Sequence, residues 1–226
     1  MKNFSKGDNV TKELFDKAAA NWDNKTLRLQ LAGQVVRAIG QAVPLKRTMD
    51  ALEIGCGTGL VTISLCHDLN SIVAADTSSG MLDVLKEKIS DLGVENTTPL
   101  LLDPSGDLSR LGSGKFHLIY SSMTLHHIKD TAAILSACYS LLHPGGSIAI
   151  ADLAEEDGSF HGDMAGVEHL GFDPQKLARL ATECGFSETA VTAAHIITKE
   201  DGQGRKRSYP VFLLTARKQI KEENGS

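Results

Sequence analysis

The sequence predicts an α/β fold with a mostly parallel sheet, because strand-like runs alternate with amphipathic helices along most of the chain. Two further strand-like runs near the end, 188–198 and 208–217, are joined by a glycine-containing loop and predict an antiparallel hairpin. Right-handed crossovers should connect the parallel strands. The five strands that precede the hairpin are predicted at about 50–54, 71–75, 98–102, 116–120 and 147–151.

Apolar residues at helical spacing predict the intervening helices. In the stretch 23–41, leucine, valine and isoleucine recur every four residues from Leu27 to Ile39. Ser78 is a candidate N-cap for the helix after the second strand. The segment from His143 to Gly146, which contains proline and two glycines, should end the helix before the fifth strand. Further helices are predicted at 59–69, 131–142 and 174–184.

Composition limits the classes of function. A chain of 226 residues fits one domain, here taken as 1–226 with N-terminal cap helices at about 10–45 and a core at about 48–217. No stretch approaches the roughly 20 apolar residues of a membrane span, and the first ten residues lack the apolar core of a signal peptide. The four cysteines form no C-x-x-C pair, which disfavours zinc binding and indicates reduced thiols in a cytoplasmic protein. The net charge of −5 argues against a nucleic-acid partner.

The most informative motif is residues 51–59, Ala-Leu-Glu-Ile-Gly-Cys-Gly-Thr-Gly. An apolar strand ends on the acid Glu53, glycines follow at Gly55, Gly57 and Gly59, and a helical pattern begins at Leu60. Glycines permit positive φ and let a ligand approach the backbone closely, and Glu53 could accept hydrogen bonds from a cationic ligand group. The alternative is a glycine-rich turn that binds nothing.

This spacing resembles the first motif of the class I S-adenosylmethionine-dependent methyltransferases, and it differs from the Gly-x-Gly-x-x-Gly of dehydrogenases. The resemblance covers about residues 15–217. It implies a three-layer Rossmann-like fold whose seven-stranded, mostly parallel sheet has one antiparallel strand. It also implies S-adenosylmethionine as cofactor and a small-molecule acceptor, with neither nucleic acid nor membrane as a partner. The alternative function is a protein that binds S-adenosylmethionine without transferring its methyl group.

The predicted cofactor residues lie at strand ends, where open α/β sheets bind their ligands. Asp76 could hold the two ribose hydroxyls or only favour a helix start, and Asp103 could face the adenine amino group or be a turn acid before Pro104. Met81 could pack on the adenine or in the core, and Trp22 could cover the ligand or pin a helix to the sheet. The resemblance implies the following cofactor-binding residues: Trp22, Glu53, Gly55, Cys56, Gly57, Asp76, Thr77, Met81, Asp103, Pro104, Ser121, Met123 and His126.

Histidines are the candidates for acid–base chemistry. His126 and His127 follow the fourth strand, and for His126 contact with the cofactor is favoured over catalysis. His161 and His169 lie in the stretch 152–173, which is too long and polar for an ordinary connection and is expected to face the acceptor. Their spacing matches no compact metal motif, so no metal is expected.

Overall fold

A computed structural model describes residues 6–104, 106, 108–162, 164–200 and 204–220, with side chains from residue 12 onward. Seven strands form one sheet in the order β3-β2-β1-β4-β5-β7-β6. The strands are β1 (Asp50–Ile54), β2 (Ser71–Asp76), β3 (Thr97–Leu101), β4 (Phe116–Ser122), β5 (Leu142–Leu153), β6 (Phe186–Glu200) and β7 (Lys206–Lys218).

The first five strands are mutually parallel, and β7 runs antiparallel to both of its neighbours, β5 and β6. This arrangement confirms the predicted fold class. The chain leaves β1 toward β2 and β3 and then returns to the other side of β1 as β4. The loops after β1 and β4 therefore diverge, and the crevice between them is the usual place for a ligand in such a sheet.

Helices cover both faces of the sheet. They are α1 (Lys6–Ala18), α2 (Thr26–Ala42), α3 (Leu60–Leu65), α4 (Ser79–Leu92), α5 (Thr131–Leu141) and α6 (Pro174–Glu183). Residues of α2, α3 and α4 share one apolar cluster with Ala51 of β1, and residues of α5 and α6 share a second cluster with Leu52. Because neighbouring strand residues point to opposite faces, the sheet is the middle of three layers. Within the described part of the chain, no helix is long and apolar enough to cross a membrane.

Two predicted helices were too long. A 3-10 helix, Ala19–Asn24, precedes α2, so the helix predicted to start at residue 23 begins at Thr26 and leaves Leu27 43% exposed. The cause is Asp23, whose side chain bonds to Thr58 and Lys88 and holds the turn in place. The helix predicted at 59–69 ends at Leu65 and continues as the 3-10 helix Cys66–Asp68.

The fifth strand begins five residues earlier than predicted. Phe116 pairs with Leu142, and the next pair is Leu118 with Ser147, so the residues between them form a bulge in β5. Gly145 has φ +78°, a conformation that a residue without a side chain adopts readily in a bulge. The segment from His143 to Gly146, which was predicted to lie between helix and strand, thus follows the end of α5 and forms part of β5.

Candidate cofactor and acceptor site

The glycine loop after β1 is tied to β2 and to the loop after β4. The amides of Gly55 and Cys56 both donate to the carbonyl of Ala75, at 2.8 and 3.0 Å. Gly55 has φ +73°, and a Cβ there would lie 2.2 Å from Oγ1 of Thr124. Gly57 has φ +53°, but a Cβ there would meet no atom within 4 Å. Gly55 is therefore required by packing, whereas Gly57 presents bare backbone to open space.

Glu53 points into the fold. It is 1% exposed, and the hydroxyl of Thr62 donates to its Oε2. Burial raises the pKa of Glu53 to about 8; the bond from Thr62 opposes the rise, and the nearby Asp76 adds to it. The sequence suggested an acceptor for a cationic ligand, but the contact seen for this carboxyl is internal.

Asp76 joins the glycine loop after β1 to the turn after β2. Its Oδ2 accepts from the amide of Gly57 at 2.7 Å, and its Oδ1 accepts from the amide of Ser78 at 2.8 Å. Burial raises its pKa, while these backbone bonds oppose the rise. The backbone of Thr77 also acts on this carboxylate, which has about four acceptor positions, so at least one position remains for a ligand. Thr77, between Asp76 and Ser78, is half-buried.

Two acids of the N-terminal segment, residues 12–25, dock it on the same loops. Oδ1 of Asp16 accepts from the Ser78 hydroxyl at 2.5 Å and from the Gly80 amide at 2.8 Å. Asp23 accepts from the Thr58 hydroxyl at 2.6 Å and pairs with Lys88 at 2.5 Å. The segment is thus fixed both to the glycine loop and to the start of α4.

Aromatic contacts extend this segment toward the loop after β4. The Phe15 ring packs edge-on against Trp22 at 5.7 Å and against His127 at 5.5 Å. The guanidinium of Arg28 lies 3.3 Å from the Trp22 ring centroid. Trp22 is half-buried by these contacts and helps to hold the N-terminal segment together.

The loop after β4 is tightly constrained. Met123 has φ +56°, an uncommon conformation for a residue with a side chain, and its amide donates to the Ala151 carbonyl at 2.8 Å. The buried hydroxyl of Ser121 has no hydrogen-bond partner among the residues described. Thr124 lies over Gly55 and donates to its carbonyl at 3.3 Å. The β4 loop and the glycine loop therefore touch directly.

His126 is buried against an acid at the end of β5. Its Nδ1 lies 2.6 Å from Oδ1 of Asp152, which is 0% exposed, and its amide donates to Oδ2 of the same residue at 3.2 Å. The His126 carbonyl accepts from the amides of Glu168 and His169, both at 3.0 Å. One residue thus connects β4, β5 and the long polar stretch.

The other three candidate histidines surround His126 or support the long polar stretch. Ring centroids of His127 and His161 lie 4.1 and 5.0 Å from that of His126. Nδ1 of His127 lies 2.7 Å from the Gly166 carbonyl, and Nε2 of His169 lies 3.0 Å from that of Ile128. Burial, followed by the neighbouring His126, lowers the pKa of both His127 and His161 to about 4.

Comparison with known proteins identifies the family. The family model described as a methyltransferase domain matches residues 52–148, which include the glycine loop and Asp76. An uncharacterized methyltransferase of Schizosaccharomyces pombe is 32% identical over 167 residues, which are 68% of this chain and 57% of that protein. The chain belongs to the class I S-adenosylmethionine-dependent methyltransferases. This confirms the family predicted from the acid and glycine motif, and the cofactor of that family is S-adenosylmethionine.

Other similarities cover more of the chain at lower identity. A ubiquinone biosynthesis O-methyltransferase of Psychrobacter arcticus is 22% identical over 214 residues, with 81% of this chain and 83% of that protein covered. The solved structure of phosphoethanolamine N-methyltransferase 2 of Haemonchus contortus, in complex with S-adenosyl-L-methionine, superposes with a TM-score of 0.68 at 18% identity. That superposition covers 83% of this chain and 52% of the other. The chain spans little more than half of the yeast relative and of the nematode structure.

The remaining predicted cofactor residues of this methyltransferase-family chain lie in different surroundings. Met81 is fully buried in the first turn of α4, which matches the core alternative, and the thiol of Cys56 is buried with its pKa raised well above the usual range by burial. Asp103 and Pro104 are half-buried just after β3, and the Asp103 carbonyl accepts from Gly106 at 3.0 Å. The Cys56 amide donates to the Ala75 carbonyl, and its own carbonyl accepts from the Gly59 amide at 2.9 Å.

Several contacting residues were missed by sequence reasoning. Asp152 had a signal, because it directly follows the predicted fifth strand, as Asp76 and Asp103 follow the predicted second and third strands. Thr124 and Thr62 had none, because each acts through a partner that is distant in sequence. Among the described residues, no group of three histidines, cysteines or acids is arranged to hold a metal ion. Asp163, an acid in the stretch 152–173 between His161 and His169, lies outside the described residues.

Proposed function

We propose that this chain is an active methyltransferase that binds S-adenosylmethionine and methylates a small organic molecule. The observation that carries the proposal is the link between Asp76 and the Gly57 amide, at 2.7 Å, in the crevice where the sheet order reverses. It puts an acid with free acceptor positions beside bare glycine backbone. That combination suits a ligand with a ribose diol and an extended, charged tail.

The proposed contacts follow the strand ends. Asp76 would accept from the ribose hydroxyls, and Asp103 with Pro104 would lie near the adenine. The open space above Gly57 would admit the ligand, and backbone groups from Ser121 to Met123 would line its methionine end. When bound, the cofactor supplies a methyl group on a positively charged sulfur, which is itself the electrophile.

The protein's own part is to orient the reactants and exclude water. The N-terminal segment, fixed by Asp16 and Asp23, would cover the cofactor, and the stretch 155–173 would border the acceptor. Both segments are held by side-chain bonds to the loops after β1, β2 and β4. The two segments together would enclose the reacting groups and shield them from water.

We propose a small-molecule acceptor and no nucleic-acid substrate, supported by the net charge of −5 and by the O-methyltransferase of ubiquinone biosynthesis among the relatives. At 22% identity that relative does not identify the acceptor. A cytoplasmic location is also proposed, because all four cysteines are free thiols.

Calorimetry with S-adenosylmethionine, S-adenosylhomocysteine and NAD tests the cofactor, with the Asp76→Ala variant as control. Binding of the first two and not of NAD is expected. Tighter binding of NAD would contradict the proposal. Formation of S-adenosylhomocysteine in the presence of a panel of small phenols, thiols and amines tests transfer. Cofactor binding without transfer to any acceptor would favour the alternative of a binding protein.

A further inference from the structure

Asp152 fixes which nitrogen of His126 carries a proton. The Asp152 carboxyl accepts from the Leu153 amide at 2.7 Å and from the His126 amide at 3.2 Å, and it lies 2.6 Å from Nδ1 of His126. Three donors stabilise the ionised form of a buried carboxyl. Because a carboxylate can only accept, Nδ1 carries the proton and Nε2 keeps its lone pair. Nε2 makes no hydrogen bond to any residue that the structure describes.

The neighbouring histidines are poorly suited to take up a proton. Nδ1 of His127 faces a carbonyl, so that nitrogen is already a donor, and no hydrogen bond joins His161 to an acid among the described residues, although Asp152 opposes the lowering of its pKa. Burial lowers the pKa of both to about 4, and Lys199 adds to this effect at His161. Among the described residues, the groups that face His126 are therefore two neutral imidazoles and one carboxylate, with the Lys199 ammonium beyond His161. Of the three imidazoles, only that of His126 has a carboxyl oxygen of the described residues within hydrogen-bond distance.

The cluster also lies where an acceptor would bind. His126 follows Thr124, which contacts Gly55 of the glycine loop, and Asp152 ends β5, the strand next to β4. Phe15 of the N-terminal segment contacts His127, and His161 comes from the long polar stretch. Four segments that border the proposed cofactor site thus meet around the two neighbouring imidazoles of His126 and His127.

We propose that Asp152 and His126 form the general base of this site and that the acceptor is a weak acid, with an O–H or S–H group as nucleophile. This inference rests on the proposed function. The lone pair of the acceptor oxygen or sulfur forms the new bond to the methyl carbon, and the pair of the broken carbon–sulfur bond stays on the cofactor sulfur. The acceptor proton moves to Nε2 of His126, and the resulting imidazolium is paired with the Asp152 carboxylate. Asp152 is a positioning residue, because it acts through the imidazole.

Nitrogen NMR tests the proton assignment without turnover. The protein, labelled with ¹⁵N-histidine and saturated with S-adenosylmethionine, is compared with the Asp152→Asn and His126→Gln variants, the latter to assign the signals. We expect His126 at about pH 8 to be neutral with its proton on Nδ1, and Asp152→Asn to remove that preference. A proton on Nε2, or an imidazolium at that pH, would overturn the proposal.

The acidity of the acceptor provides a second test. Methyl transfer is measured for a series of substituted phenols and thiols, from weakly acidic ones to ones already ionised at the assay pH. His126→Gln and Asp152→Asn should lose about 10²-fold or more with the weak acids and much less with the ionised acceptors. The control is His117→Gln, a histidine at the opposite end of β4 that stacks on His143.

The outcomes separate this inference from the proposed function. If the wild type binds no cofactor or methylates nothing, the proposed function fails, while the NMR result still decides the assignment of the proton. Equal losses of methyl-transfer rate across the acceptor series would show that His126 has only a structural role and would overturn the inference. Methylation confined to acceptors without an acidic proton, such as tertiary amines or thioethers, would overturn it as well.

Discussion

The hydroxyl of Thr62 in α3 donates a hydrogen bond to the carboxyl of Glu53 at the end of β1. The acid that precedes the glycine loop is thereby held inside the protein, beside the hydroxyl-bearing ring of Tyr120 on β4. With its pKa raised to about 8 by burial, Glu53 is mostly protonated near neutral pH. The motif acid therefore helps to hold α3 against the sheet.

Replacing Glu53 by glutamine should make stability less sensitive to pH. The pKa of Glu53 is about 8 in the folded protein and 4.5 in its ordinary, solvated state, so the unfolded chain loses the proton first as pH rises. The free energy of unfolding of the wild type should fall between those values, by on the order of 3 kcal/mol, and Glu53→Gln should lack that fall. Urea denaturation from pH 5 to pH 9 measures it. The exposed Glu87→Gln is the control, and parallel curves for Glu53→Gln and wild type would contradict the prediction.

Alanine at Gly55 and at Gly57 should have different effects. Gly55→Ala meets Thr124 and should destabilise the fold by about 3 kcal/mol, the scale of overpacking with backbone strain. Gly57→Ala has open space, so it should cost about 1 kcal/mol of stability while weakening cofactor binding by roughly tenfold or more. Thermal unfolding and calorimetry separate the two effects. The prediction fails if both variants lose stability and neither loses affinity for the cofactor.

Removing the carboxyl of Asp76 should weaken cofactor binding. Asp76→Ala should cost about 1.5–3 kcal/mol of binding free energy, the scale of charge-assisted hydrogen bonds. Asp76→Asn, which keeps an acceptor oxygen for the Gly57 or Ser78 amide, should retain more of the stability. Calorimetry and thermal unfolding on both variants give the two quantities. Unchanged cofactor affinity in a folded Asp76→Ala protein would mean that the carboxyl of Asp76 only stabilises the loops that contain Gly57 and Ser78.

Trp22 reports on the N-terminal segment, because it is the single tryptophan of the chain. Asp23→Ala removes the partner of Thr58 and Lys88 and should weaken docking of the segment by about 1 kcal/mol, since the pair is partly exposed. Acrylamide should then quench the Trp22 fluorescence more strongly. Asp83→Ala, which breaks the exposed pair with Lys86, is the control and should leave quenching as in the wild type.

Acid should loosen the long polar stretch. The pKa of His127 and of His161 is lowered to about 4 in the folded protein, so the unfolded chain binds protons first as pH falls below about 6.5. Each histidine should cost roughly 1 kcal/mol at about pH 5, reduced at His161 by partial exposure. Protection factors for amide hydrogen exchange in the stretch 155–170, which correct for the intrinsic exchange rate at each pH, should fall at pH 5 relative to pH 7, and less so in His161→Gln. The exposed His67→Gln should behave as the wild type.

The sequence predicted what depends on local pattern. The first strand, the N-cap at Ser78 and the terminal hairpin follow from periodicity and turn residues, and the structure has them. The start of α2 was missed because Asp23 is held by Thr58, 35 residues away. The internal position of Glu53 and the pairing of His126 with Asp152 were missed for the same reason. Such contacts depend on which strands are neighbours, and no local spacing encodes that.

The position of β7 between β5 and β6 affects the order in which the molecule can be assembled. As the chain emerges from the ribosome, β6 has no strand to pair with until β7 has followed it. Until then the edge of β5, from Ser147 to Leu153, is an unpaired apolar strand that invites association with other chains. Asp152 lies on that edge, opposite Phe212. The surroundings of Asp152, the hydrogen-bond partner of His126, are therefore among the last parts of the protein to be completed during synthesis.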